Sequence, residues 1–489
     1  MQDRRTFLRR GAVTTAGGAL ALTPAAALAK KGRPAGFGSP VEDRNGLIDL
    51  PRGFNYRVVQ NVDDQLSNGA PVPGDFDGMV AIGGPRNSTV LVRNHELRPN
   101  DTATKAPVVG SNPYDPAAPG GTTALVVGPN RKLDRSYVSS SGTLNNCAGG
   151  GTPWGTWITC EEDRTTGHGY AFEVDPSDPE NDISRTPIRA MGYFSHEAID
   201  IDPRTGIAYL TEDDFRGQQT APDEEVPGVT RSSFLYRYLP DNRAQRPGAL
   251  QDGGKLQAMA IQARPQYNMD LGRTGETFQV VWVDVSAEEP HDDALTKGAA
   301  RFQRLEGCHF AGGAFWFDDT SGGEARVGQV FRLIPSGDPS GRGVDTLELF
   351  LEGQSEEQMD APDNLYVTPW GDVWLAEDGG DGNRVIGLTP QGEQYVFAYN
   401  RLNDSEFAGP CFSSDGRTFF VNIQDPGHTF AIWGPFARRN AGGQRAMASA
   451  PPQHRWAPKV SAELREYAAK NDMSPYEAAA YERLGVTLV

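Results

Sequence analysis

The stretch 369-PWGDVWLAEDG-379 opens on a turn, runs through an apolar segment and breaks off at two acids, and the same pattern returns five more times. The other copies are 87-NSTVLVRNHE-96, 153-PWGTWITCEED-163, 203-PRTGIAYLTEDD-214, 312-GGAFWFDDT-320 and 415-DGRTFFVNIQD-425. Most are followed, after a Gly-containing turn, by a second β-rich run ending near Pro, as in 169-GYAFEVDP-176, 328-GQVFRLIP-335 and 428-HTFAIWGP-435. Strand–turn–strand units that recur every several dozen residues predict an all-β fold, a β-propeller with one sheet per blade. If equivalent strands end at the same mouth of the central channel, their acidic ends converge there and make a place to hold metal ions.

Size and composition agree with that architecture. A chain of 489 residues is long for an average domain but ordinary for one large propeller. Its 57 Gly and 36 Pro suit a fold made of many short hairpins. The formal charge of −18 excludes nucleic acid and anionic membrane surfaces as partners, because both attract Lys and Arg. An acidic protein acting on an anionic substrate needs local positive charge, which bound cations supply.

The N-terminus reads as an address rather than as structure. Residues 1–29 carry Arg4-Arg5 and Phe7-Leu8, an uncharged stretch, and then Ala27-Leu28-Ala29, the pattern of a twin-arginine export signal with its cleavage site. Removing them takes away four Arg and one Asp, so the charge moves from −18 to −21. No other segment reaches the ~18 apolar residues of a membrane span. The expectation is a soluble, monomeric protein in the periplasm or outside the cell, delivered by the twin-arginine machinery. Residues 30–40 are a Gly/Pro/Lys-rich linker, 41–436 the propeller, and 437–489 a partly helical tail. Pro99–Gly121, Gly217–Thr230 and Tyr238–Lys255 read as loop insertions between strands.

Two groups of residues carry candidate chemistry. The first lies at the ends of the repeats, in Asn94-His95-Glu96, Glu161-Glu162-Asp163, Glu212-Asp213-Asp214, Asp318-Asp319, Glu377-Asp378 and Asn422-Ile423-Gln424. Oxygen ligands of this kind suit hard cations, with Glu96, Glu161, Glu212 and Glu377 as the candidates. The second group precedes the repeats by 6 to 14 residues, in Ser195-His196-Glu197, Arg304 through Cys308, Asp360 through Asn364, and Ser405-Glu406-Phe407. In a propeller such segments lie where the chain crosses into the next innermost strand, so acids there ring the channel mouth. Cys160, Cys308 and Cys411 sit in apolar, strand-like surroundings. Cys147 lies instead in the polar, Gly-rich run Asn145–Gly151, where a thiol has little packing reason to be. There is no G-x-S-x-G elbow, no P-loop and no H-E-x-x-H, and the seven His are scattered.

As a set, these motifs resemble the signature of the PhoX-type alkaline phosphatases. They are Arg93-Asn94-His95-Glu96, Asn145 through Glu162, His196-Glu197-Ala198, Arg304-x-Glu306-Gly307, Asp360-x-Pro362-Asp363-Asn364-Leu365 and Glu406-Phe407-x-Gly409-Pro410-Cys411-Phe412. The resemblance covers most of Gly46–Pro435. It implies a six-bladed propeller and a calcium-dependent phosphomonoesterase with ferric iron and calcium at the channel mouth, bridged by an oxo group. By the same match Cys147 is an iron ligand, Glu197, Glu306 and Asp363 are carboxylate ligands, and Arg304, with Glu306 beside it, binds the phosphate of a small ester. A guanidinium is suited to that task, since it offers phosphate a bidentate fork. The chain is shorter than the longer members just after Glu162, which leaves open whether every metal site is kept. Two other readings stand beside this one: a secreted propeller that binds a ligand without catalysis, and a calcium-dependent lactonase-type hydrolase.

Overall fold

The structure, a computed structural model, describes residues 35–214, 232–380 and 382–436. The export signal at 1–29, the insertion at 217–230 and the tail at 437–489 lie outside the described residues. The rest is all-β, with antiparallel sheets and one α-helix, Pro290–Thr296, among the described residues, in a propeller-like arrangement.

At its centre stand the strands Phe76–Gly83, Asn146–Gly151, His196–Ile201, Leu305–Ala311, Pro362–Val367 and Phe407–Phe412. Each packs against the next, and the last packs against the first. Every one of these inner strands opens a sheet by pairing with the strand that follows it. Those second strands are the six repeated stretches of the sequence, Thr89–His95, Trp157–Glu161, Ala208–Glu212, Ala314–Asp319, Val373–Glu377 and Phe419–Ile423.

One sheet per repeat is not what the strands form. Among the described residues they make five sheets, because two outer strands, Thr277–Asp284 and Asp345–Glu352, pair with each other and fuse their sheets into one of nine strands. A sheet edge leaves backbone N–H and C=O groups unpaired, and two edges that meet satisfy both rows. The stretch after Asp214 therefore holds more than loops. Gly254–Ile261 pairs with Leu235–Pro240, so only part of the expected insertion at 238–255 is loop.

The ring is closed by the beginning of the chain. Asn55–Asn61 adds as the outermost strand to the last sheet, beside His428–Trp433. Fully buried Arg93 pins this seam: it donates to Thr429 Oγ1 (2.7 Å) and Gln60 Oε1 (3.0 Å), with its guanidinium 3.4 Å from the Phe76 ring centroid. Part of the expected linker is also packed. The Phe37 ring meets Phe54, Trp370 and Phe436 edge-on at 5.1, 5.8 and 5.9 Å.

Glycine sets how closely the inner strands approach. A Cβ on Gly307 would lie 2.4 Å from the Leu365 amide nitrogen and 2.7 Å from the Asp363 carbonyl oxygen. One on Gly78 would lie 2.7 Å from the Cys147 carbonyl oxygen. Main chain meets main chain at these places, and no larger residue fits.

Candidate metal centre

All six inner strands start in the same way. Their opening pairs are Phe76 with His95, Asn146 with Glu161, His196 with Glu212, Leu305 with Asp319, Pro362 with Glu377 and Phe407 with Ile423. In every case the register then shifts within the next few residues. Such a bulge bends its strand and re-aims a side chain. The residues just after the opening position are Asp77, Cys147, Glu197, Glu306, Asp363 and Ala408. Five of the six can bind a cation.

Their side chains converge with acids from the second strands and the crossing loops. Ligand atoms lie within 4.8 Å of one another in three groups: Cys147, Glu162 and Glu197; Glu197, Glu306 and Asp363; Asp77, Glu96 and Glu406. Glu197 is shared by two of them. Five residues expected from the sequence, Cys147, Glu197, Glu306, Asp363 and Glu96, are thus brought together. Arg304 joins them, its Nε 3.0 Å from Asp213 Oδ1 and its terminal nitrogen 2.8 Å from Glu306 Oε1.

The structure corrects three other expectations. Glu161, Glu212 and Glu377 are turned away and used for scaffolding. Glu161 accepts from the amides of Leu144 (2.9 Å), Gly169 (2.8 Å) and Tyr170 (3.2 Å) and lies 2.6 Å from His168 Nδ1. Glu212 accepts from the Phe234 amide and the Tyr236 hydroxyl and lies 2.8 Å from His291 Nδ1. Glu377 accepts from the Asp360 amide and pairs with Arg384. Neighbouring residues of a strand point to opposite sides. The acid opposite the bulge therefore anchors a loop, and the following residue, Glu162, Asp213 or Asp378, faces the cluster.

This parity makes a prediction. Glu161→Gln should lower the melting temperature of the metal-free protein by a few degrees, because a buried amide left unpaired costs ~1–3 kcal/mol. It should leave metal content unchanged. Glu162→Gln should do the reverse, losing metal while the metal-free protein melts no lower. Elemental analysis beside thermal melts decides, and an exchange of the two phenotypes would refute the parity.

Reading the repeats also missed Asp77 and did not single out Glu406. Both follow the same rule of placement, Asp77 ten residues before the repeat at 87 and Glu406 nine before that at 415. The signal was present, but Phe76-Asp77-Gly78 looks like a turn when read alone.

Burial is the largest influence on the ionisation of these groups. It pushes Glu162, Glu197, Glu306, Asp77 and Glu406 well above the usual carboxylate range, and neighbouring acids add to the rise. Glu96 and Asp363 are raised to about 7 and Asp378 to about 6, again chiefly by burial. Burial and then Glu197 push the Cys147 thiol up, and its Sγ donates weakly to the His196 carbonyl oxygen at 3.3 Å. Among the described residues, buried Asp77 Oδ1 has no hydrogen-bond partner, nor has either carboxylate oxygen of Asp318. Arg304 contacts Glu306 and the neighbouring Asp213, and Arg98 reaches Glu162 only at 3.8 Å with half its side chain exposed. So much negative charge in one buried place is stable only if protonated or met by cations. Oxygen donors suit a hard cation, and one thiolate beside carboxylates suits a transition metal.

A propeller-like all-β scaffold with a buried carboxylate and thiol cluster at the starts of its inner strands is a scaffold able to hold cations. The family model of alkaline phosphatase PhoX matches residues 35–427, and the chain belongs to that family. In fold it is similar to the structure of Pseudomonas fluorescens PhoX in complex with vanadate, a transition state analogue, with a TM-score of 0.59 and 17% identity over 83% of this chain and 98% of that one. A gluconolactonase from Xanthomonas campestris aligns with a TM-score of 0.42 and 11% identity, covering 82% and 99% of the two chains. No curated protein sequence matches this chain.

Proposed function

We propose that this member of the family is an exported, metal-dependent phosphomonoesterase that acts as a monomer on small phosphate esters in the periplasm or outside the cell. Counting the nine-stranded sheet as two fused blades gives the six blades of the reading. The observation that carries the proposal is Arg304. Its side chain is one quarter exposed, yet it is fixed by Asp213 and Glu306 at the edge of a buried anionic cluster. A site made of carboxylates repels a phosphate ester, and a fixed guanidinium beside them brings the phosphate a positive charge.

The donor set fits the calcium and ferric iron that the family resemblance implies. Cys147, Glu162 and Glu197 would hold iron, and the groups of Glu197, Glu306 and Asp363 and of Asp77, Glu96 and Glu406 would hold the harder ions. When bound, such cations supply an activated water or oxide and a clamp for the phosphoryl oxygens. The chain's own residues do the remainder. Arg304 binds the phosphoryl group and meets the charge that builds on it, Glu306 and Asp213 hold the guanidinium in one orientation, and burial keeps the cluster from bulk water.

The test uses protein purified after its own export. Iron and calcium by elemental analysis, with hydrolysis of an aryl phosphate, support the reading. A protein that opens lactones and leaves phosphate esters untouched overturns it.

A further inference from the structure

The second strands carry another equivalence, one residue before the loop anchors. The residues there are Asn94, Cys160, Thr211, Asp318, Ala376 and Asn422. Three of them donate a hydrogen bond across to the next inner strand, to the carbonyl oxygen of its cluster residue. Asn94 Nδ2 donates to Cys147 O at 2.9 Å and to Ala148 O at 2.7 Å. Thr211 Oγ1 donates to Glu306 O at 2.7 Å, and Asn422 Nδ2 to Asp77 O at 2.7 Å. All three donors are fully buried, and each is itself held by neighbours. Asn94 Oδ1 accepts from Trp157 Nε1 (2.8 Å) and Thr159 Oγ1 (3.0 Å). Thr211 Oγ1 accepts from the Ala198 amide, and Asn422 Oδ1 from Thr429 Oγ1.

We propose that Asn94, Thr211 and Asn422 are positioning residues that fix the bulges carrying Cys147, Glu306 and Asp77, and so set the aim of the cluster's ligand atoms. A bulge is a break in the ladder, so the carbonyl of the displaced residue lacks its ordinary partner. Left to itself it could turn, and the side chain on the same residue would turn with it. A donor from the adjacent sheet removes that freedom. Partners of ligands commonly govern metal affinity in this way, by about 10- to 100-fold when removed. The proposal rests on the metal-binding reading given above.

The test is chelator competition on the exported, metal-loaded protein, scored as the EDTA concentration that removes half of the bound iron and calcium. Thr211→Val keeps shape and β-branching but cannot donate, and Asn94→Ala removes the donor at Cys147. Each should lower that EDTA concentration about 10-fold or more while the protein stays folded by circular dichroism. Asn94→Thr, which installs the donor used at position 211, should recover most of the loss. Variants that fold and keep parent metal retention overturn the proposal. If Asn94→Ala does not fold, Thr211→Val decides on the same criterion. Failure of the metal reading itself is distinguishable, because the parent protein would then carry no metal.

Discussion

Arg304→Ala should lower kcat/KM for an aryl phosphate by two to three orders of magnitude, about 3–4 kcal/mol, while the protein keeps its metals. The reasoning is electrostatic. Arg304 touches Asp213 and Glu306, but a guanidinium stays protonated and has no lone pair to give a cation. Its loss removes a charge aimed at the substrate and leaves the donors of the cations in place. A guanidinium that meets the phosphoryl group equally before and during reaction would raise KM alone, whereas one that tightens as charge builds lowers kcat. The fixed geometry, with Asp213 holding Nε and a terminal nitrogen, favours an effect on both. Arg304→Lys should recover little, since an ammonium cannot reproduce the fork. Steady-state kinetics with elemental analysis of the same preparations checks this, and a variant with parent kcat and KM would remove Arg304 from the site.

Cys147→Ala should abolish iron binding and with it activity, yet leave the fold intact. In the metal-free protein the thiol is neutral, pushed up by burial and by Glu197, and its weak bond to the His196 carbonyl contributes little. A bound metal deprotonates such a thiol outright, which couples binding to proton release. The variant should melt within a few degrees of the metal-free parent and gain less on metal addition, where a site at 1,000 times its Kd contributes about 4 kcal/mol. Cys160→Ala is the contrast. Cys160 is fully buried in the core among Ile158, Phe194 and Tyr236, so its truncation should cost roughly 1 kcal/mol and leave iron in place. Equal iron in the two variants would show that position 147 is not special.

The propeller-like plan was legible because each repeat announces itself locally, with a turn, an apolar run and acids. The placement of Glu197, Glu306 and Asp363 before the repeats pointed to the channel mouth and Cys147 stood out by its context, while their roles as ligands came from the family resemblance. What the repeats could not supply was direction. Glu161 and Glu162 are chemically alike and adjacent, and only the pairing of Asn146 with Glu161 decides which faces the cluster. Register is a long-range property, fixed by how the inner strands nest rather than by any one stretch. Asp77 was missed for a local reason: its place before the repeat fits the rule, but Phe76-Asp77-Gly78 read alone looks like a turn. The fusion of Thr277–Asp284 with Asp345–Glu352 was equally hidden, since neither strand carries a mark of its partner.

The seam described above has a consequence for biogenesis. Asp77 comes from the first inner strand and Glu406 from the loop before the last, and they belong to one group of ligand atoms. Arg93 and Thr429, which lock the seam, are 336 residues apart in the chain. A nascent polypeptide emerging from the ribosome can pair its early hairpins, but that triad does not exist until Glu406 arrives, and the seam does not close until the strand 428–433 captures 55–61. Assembly of that group therefore waits for the last inner strand, and a chain interrupted before Glu406 lacks one of its three ligands.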